Sequence, residues 1–226
     1  LNTPSDVSGY SLQVSGTIGI SVYPDDGADA ESLIKAADMA MYYARNEGDR
    51  SYQFFEPQMN ARAMERQWLE ANLKGALARD EFVLHYQPKY DLQTGQLTGA
   101  EALLRWAHPE RGLMLPRGFM PIAEECGLLV PIGRWVLRQV CAQARAWLDH
   151  GRAPLRISVN VSGGEFQHDG FLEGVTEALA EHGLGGEHLA IELTESALLR
   201  DIDTTIVRLR ALERLGIQIA VDDFGT

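Results

Sequence analysis

Leu155-Arg156-Ile157-Ser158-Val159-Asn160-Val161, Leu189-Ala190-Ile191-Glu192-Leu193 and Ile217-Gln218-Ile219-Ala220-Val221 are three short apolar runs rich in β-branched residues. Between them, Phe171–His182 and Thr204–Leu215 place apolar residues at helical spacing. Short buried strands alternating with amphipathic helices are the pattern of parallel βα units, with a barrel or a doubly wound sheet as the candidate architectures. The fold class is therefore α/β.

Upstream of this block the pattern predicts strands over Phe82–Tyr90 and Leu97–Trp106 and helices over Ala61–Arg79, Arg117–Glu125 and Pro131–Leu148. A domain boundary is placed near Met59, giving residues 1–59 and 60–226. In the first part, Ser15–Tyr23 alternates as a strand and meets the turn Pro24-Asp25-Asp26-Gly27. Glu31–Arg45 is helical, with Gly48 as its terminator, and Tyr52–Phe55 is a short aromatic strand. Some 55 residues of strand, helix and strand bury too little surface to stand alone comfortably.

The whole chain of 226 residues is 45% apolar and 23% charged, as in ordinary ordered globular proteins, and carries a formal charge of −12. An acidic surface without a basic block repels nucleic acid backbones and anionic lipid, so no DNA or RNA polymer and no membrane surface is expected as partner. An anionic ligand would need cations to mediate. Cys126 and Cys141 lack metal-ligand spacing and a secretory leader, which fits a reducing, cytoplasmic setting, and no apolar run reaches membrane-spanning length. The chain starts at Leu1 and stops at Thr226 just after a strand-like run, so it is expected to be a piece of a longer polypeptide.

Chemistry concentrates at strand ends. Glu101, Asn160, Glu192 and Asp222 are each expected to end a strand, the last three 32 and 30 residues apart, about one βα repeat each. In a parallel barrel such ends converge on one rim. Crowded carboxylates raise one another's pKa unless a cation neutralises them, and oxygen ligands without Cys or His favour Mg²⁺ or Mn²⁺ over Zn²⁺. Asp223, beside Asp222, is placed to serve a second ion, as in two-metal phosphodiester hydrolysis. Any one of these acids alone would ordinarily be a helix cap or a solvated loop residue. Asp223-Phe224-Gly225 also occurs in kinases, but no Gly-rich phosphate loop or catalytic-loop signature accompanies it here. Trp106 and Trp135 are expected in the core, His108 as a loop-ordering residue, Met39, Met41 and Tyr42 as packing, and the two cysteines as inert buried thiols.

Tyr86-Gln87-Pro88, Glu101-Ala102-Leu103-Leu104-Arg105-Trp106, His108-Pro109, Pro121-Ile122-Ala123-Glu124-Glu125, Asn160-Val161-Ser162, Glu192-Leu193-Thr194-Glu195 and Asp222-Asp223-Phe224-Gly225-Thr226 together resemble EAL domains, phosphodiesterases that linearise cyclic di-GMP. The resemblance runs from about Met64 to the last residue. Upstream, SGTIGISVYPDDG and LIKAADMAMYYARNEGDRSYQFF resemble the C-terminal part of a GGDEF domain, the diguanylate cyclase fold. The EAL resemblance implies a modified TIM (β/α)₈ barrel whose first strand runs antiparallel to the rest. The barrel would be incomplete here, because 165 residues from residue 62 onward fall short of the ~250 of a full one. It implies too that Glu101, Asn160, Glu192, Asp222 and Asp223 ligate two Mg²⁺ or Mn²⁺ ions, with Glu101, Asp222 and Asp223 catalytic.

By the same resemblance, Gln87 and Arg105 would contact the dinucleotide, Leu103 would line its pocket, and Glu195 would hold an active-site loop or, equally, stand as a surface acid at a helix start. The family's Lys, further Glu and late Gln fall beyond Thr226, so the fragment alone is expected to be inactive. Asp49 replaces an Arg usual in the GGDEF family and removes a positive charge from the triphosphate side. The parent is expected to be a tandem GGDEF–EAL signalling protein, homodimeric through the EAL domain and anchored, if at all, to the inner membrane by upstream segments. Hydrolysis of cyclic di-GMP to linear pGpG is the leading expectation. The alternatives are an inactive cyclic di-GMP receptor and a protein whose main activity is diguanylate cyclase.

Overall fold

A computed structural model describes residues 5–7, 10–12, 16–46, 51–199 and 201–222. The chain divides into two compact units, residues 1–69 and 70–226.

In the first unit, β1 (Ser5–Val7) and β2 (Tyr10–Leu12) pair antiparallel, and β3 (Ile18–Ile20) pairs parallel with β4 (Tyr52–Phe54) through the helix α1 (Ala30–Asn46). The strand expected over Ser15–Tyr23 is cut to three residues. Val22 N–H donates to Asp26 Oδ2 at 2.7 Å, so the turn captures a backbone donor that a longer strand would use, while the Ser21 hydroxyl donates to Leu33 O of α1 at 2.9 Å. Ala36, Ala40 and Ala44 form the buried stripe of α1. The seam is tight at Gly19, where a Cβ would lie 1.8 Å from Ala37 O. Met41 and Tyr42, expected to pack, are exposed instead, because the four-residue alanine spacing turns them away from the strands.

Helix α2 (Pro57–Ala76) starts earlier than the sequence pattern suggests, with Pro57 at its first position, where a missing N–H costs nothing. The second unit continues with β5 (Phe82–Tyr90), β6 (Leu97–His108), β7 (Gly112–Met114), α3 (Met120–Glu125), α4 (Leu129–Asp149), β8 (Arg156–Asn160), α5 (Gly163–Phe166), α6 (Phe171–Glu181), β9 (Leu189–Thr194), α7 (Glu195–Leu199), α8 (Ile202–Arg214) and β10 (Gln218–Asp222). The helix expected over Arg117–Glu125 is split into a 3₁₀ turn, Pro116–Gly118, and α3, since Pro121 belongs in a first turn and cannot lie in a helix interior.

Five of the six strands form one path, β10-β9-β8-β6-β5, with β7 added to β6. The pairs β6–β8, β8–β9 and β9–β10 are parallel, and β5 runs antiparallel to β6. This is the EAL-type order with its inverted first strand, and the sheet is open at β5 and β10 among the described residues. Ile157, Val159, Leu189, Ile191 and Leu193 point to one face and pack under α4, α6 and α8, where Leu137, Val140, Phe171, Val175 and Leu212 complete the core. No described helix is long and apolar enough to cross a membrane.

Candidate active site

Alternation puts every second residue of these strands on the opposite, polar face. The register aligns Gln87 with Glu101, Glu101 with Ser158, Asn160 with Glu192, Glu192 with Ala220 and Thr194 with Asp222. Gln87, Glu101, Asn160, Glu192 and Asp222 therefore share one face across five strands, and Leu103 and Arg105 continue it along β6. Three direct contacts lie on this face. Asn160 Nδ2 donates to Glu101 Oε1 at 2.8 Å. Lys89 Nζ donates to Ser158 Oγ at 2.6 Å and closely engages Glu192 Oε1.

Glu101 stands inside β6 rather than at its end, because that strand continues to His108, and Asp222 ends β10 beside Thr194, two residues beyond Glu192. Arg105 folds its guanidinium back, Nη1 donating to Leu104 O at 2.7 Å. Leu103 and Asn160 border an apolar cavity of about 210 Å³ that also meets Met120, Leu129, Val136 and Glu165. Glu195 is the first residue of α7, half-buried. Asp223 and Asp49 lie outside the described residues.

The donor set suits a hard divalent cation by its chemistry, since three carboxylates and an amide share a face without thiol or imidazole. Glu101 and Asn160 touch, and Glu192 stands directly across the ladder from Asn160. Among the described residues no three acids, histidines or cysteines are drawn into one cluster, and Glu192 is engaged by Lys89. Lys89 and Ser158 join this face, although the sequence motifs do not single them out. Their signal is strand periodicity: each stands two positions from an expected site residue, Lys89 from Gln87 and Ser158 from Asn160.

Glu165 borders the apolar cavity as a buried carboxyl. The Ser162 hydroxyl accepts from Glu165 N–H at 3.2 Å at the start of α5, and burial pushes the Glu165 carboxyl up from 4.5 to about 8, partly offset by a hydrogen bond with the Ser162 backbone. Ser162-x-x-Glu165 is thus a capping box, legible in the sequence. Trp106 is fully buried, with Nε1 donating to Glu81 Oε2 at 3.0 Å. His108 Nδ1 accepts from Glu110 and Arg111 N–H at 3.1 and 3.3 Å and so orders its loop. Both cysteines are free; Cys141 is buried, its thiol pushed up to about 11 chiefly by burial, while Cys126 is only half-buried.

An open, mainly parallel sheet with an inverted first strand, helices on its apolar side and acids along its polar side is an α/β architecture that gathers the candidate residues on one face. Residues 70–226 match the EAL domain family and residues 1–51 the diguanylate cyclase GGDEF domain, and the chain belongs to the EAL family, preceded by a partial GGDEF region.

Over all 226 residues it is 46% identical to the bifunctional diguanylate cyclase/cyclic di-GMP phosphodiesterase MucR of Pseudomonas aeruginosa, covering 33% of that protein. Over the same length it is 38% identical to the cyclic di-GMP phosphodiesterase PdeR of Escherichia coli, covering 34% of it. The chain thus spans about a third of the length of these curated relatives. The solved PaMucR phosphodiesterase, in complex with c-di-GMP, superposes with a TM-score of 0.68 at 48% identity over 70% of this chain and 64% of that one. The FimX EAL domain of Xanthomonas citri, in complex with c-diGMP, gives 0.64 at 28% identity over 72% and 62%.

Proposed function

We propose that the protein containing this chain hydrolyses cyclic di-GMP to linear pGpG at the polar face of the β5–β10 sheet. The observation that carries this is the alignment of Glu101, Asn160, Glu192 and Asp222 on one face of four adjacent strands, with Glu101 and Asn160 in contact. Glu101, Asn160, Glu192 and Asp222, with Asp223, would hold Mg²⁺ or Mn²⁺, which when bound activates water and neutralises charge developing at the phosphodiester.

The chain's own residues supply position and charge. Arg105 has a planar fork suited to paired contacts with phosphate oxygens, and only one of its N–H groups is directed at Leu104 O. Gln87, across from Glu101, offers an amide that can donate and accept on a nucleobase or sugar edge. Leu103 gives an apolar wall beside them. The Asn160 amide steadies Glu101 and keeps its own oxygen available as a donor to a cation.

The test is Mg²⁺-dependent conversion of cyclic di-GMP to pGpG by the full-length protein, compared with Glu101→Ala and Asp222→Ala. Loss of turnover in both, with the ligand still bound, is expected. Normal turnover in either variant overturns the assignment, and binding without hydrolysis in the unaltered protein identifies a receptor.

A further inference from the structure

Lys89 enters the polar face from the end opposite to the strand tips, because β5 runs against β6. Its stem borders a cavity of about 170 Å³ walled by the small residues Gly99, Ser158, Ala190 and Ala220. Gly99 is required there by the close approach of β6 and β8, since a Cβ would lie 2.3 Å from Arg156 O. The ammonium ends on Ser158 Oγ and Glu192 Oε1, with the Lys89 side chain 42% and the Glu192 side chain 11% exposed. A mostly buried carboxylate thus has a dedicated cation on a flexible four-carbon stem, in a channel with room for it to move.

We propose that Lys89 is an internal counter-ion that weakens the affinity of this site for divalent cations by competing for Glu192. This rests on Glu192 being a ligand in the proposed phosphodiesterase. Two effects oppose each other. The hydrogen bond from Lys89 orients Glu192, which favours a bound ion. The ammonium also repels that ion and shares its carboxylate. Repulsion acts on twice the unit charge beside the mostly buried Glu192 carboxylate, so it outweighs orientation. The site is thereby kept responsive to cation concentration rather than permanently filled.

The test is titration of the full-length protein with Mn²⁺ alone, free Mn²⁺ being followed by its electron paramagnetic resonance signal, without substrate. Lys89→Met, which keeps the stem and removes the charge, is expected to tighten Mn²⁺ binding about tenfold or more. Lys89→Arg, which keeps the charge, is expected to remain within about threefold of the unaltered protein. Should Lys89→Met fold poorly, Lys89→Gln carries the same expectation, since it keeps hydrogen bonding to Ser158. Unchanged or weaker binding in the folded neutral variants, or tightening in Lys89→Arg equal to that in Lys89→Met, overturns the proposal. Undiminished Mn²⁺ binding by Glu192→Gln would instead remove the ligand role itself and defeat the underlying phosphodiesterase assignment. A negative result at Lys89 alone leaves that assignment standing.

Discussion

The two faces of the β8–β9–β10 sheet are written in alternate letters of the same three strands and do opposite work. Ile157, Val159, Ile191 and Leu193 are sealed under helices, while Ser158, Asn160 and Glu192, one residue away in each case, line a polar surface that Asp222 extends on β10. A one-residue slip in any strand would exchange the two sets. Register is therefore the device that assembles the candidate site, and the apolar face fixes register. Stability and chemistry should accordingly separate by face when residues are removed.

The largest separation is expected at Glu101. Glu101→Ala should lower hydrolysis of cyclic di-GMP by the full-length protein about a thousandfold, equivalent to about 4 kcal/mol of transition-state stabilisation. Its thermal midpoint should hardly change, because the Asn160 amide that loses its partner is exposed and regains water. Ile191→Ala, on the other face, removes a side chain of 0% exposure and should cost about 2–5 kcal/mol in denaturant unfolding. The folded fraction should retain its activity. Strong destabilisation by Glu101→Ala, or a folded Ile191→Ala protein without activity, would break the division of labour.

That division is legible in the sequence where period two is clean. β5 is bounded at the expected residues, and the three downstream strands fall within one residue of expectation at each end. The elements that escape are too short to show a period. α5 has four residues, two of them glycine, and is created by the cap of Ser162 and the carboxyl of Glu165. α7 follows β9 without a break, and its five residues are too few to show a helical period. β7 is three residues that return onto the end of β6. Among candidate site residues, the shared face follows from alternation. The hold of Lys89 on Glu192 does not, because it links residues 103 positions apart and depends on strand order, including the inversion of β5.

Glu165 blurs the contrast between the faces, being a carboxyl on the apolar side. A Cβ at Gly133 would lie 1.8 Å from its Oε1, so α4 closes directly over it. With the folded value near 8 and the unfolded value near 4.5, the native state holds an extra proton between those limits. Its contribution to stability is complete below about pH 4.5 and is lost as pH rises through 8. Denaturant unfolding at pH 5.5 and 8.5 should show the unaltered protein weaker at the higher pH by roughly 2 kcal/mol, discounting the full shift for relaxation of the site. Glu165→Gln, neutral throughout, should lose most of that difference. An equal pH dependence in both proteins would mean that the carboxyl is ionised and solvated in the native state.

The smallest effect is expected at Ser162, two residues beyond Asn160. Ser162→Ala removes the acceptor for Glu165 N–H and should cost about 1 kcal/mol, as for other helix caps. The sharper consequence concerns which face feels the loss. The cap orients a four-residue helix whose Phe166 is fully buried, and Phe166 O accepts from the buried Arg208 of α8. Loosening the cap therefore frees the segment leaving β8 from its anchor in the apolar layer, while the rung that aligns Asn160 with Glu192 remains. Mn²⁺ affinity and turnover should stay within about twofold of the unaltered protein even as the unfolding midpoint falls. Greater loss of turnover than of stability would show that Asn160 is positioned by the helix after the strand rather than by the strand itself.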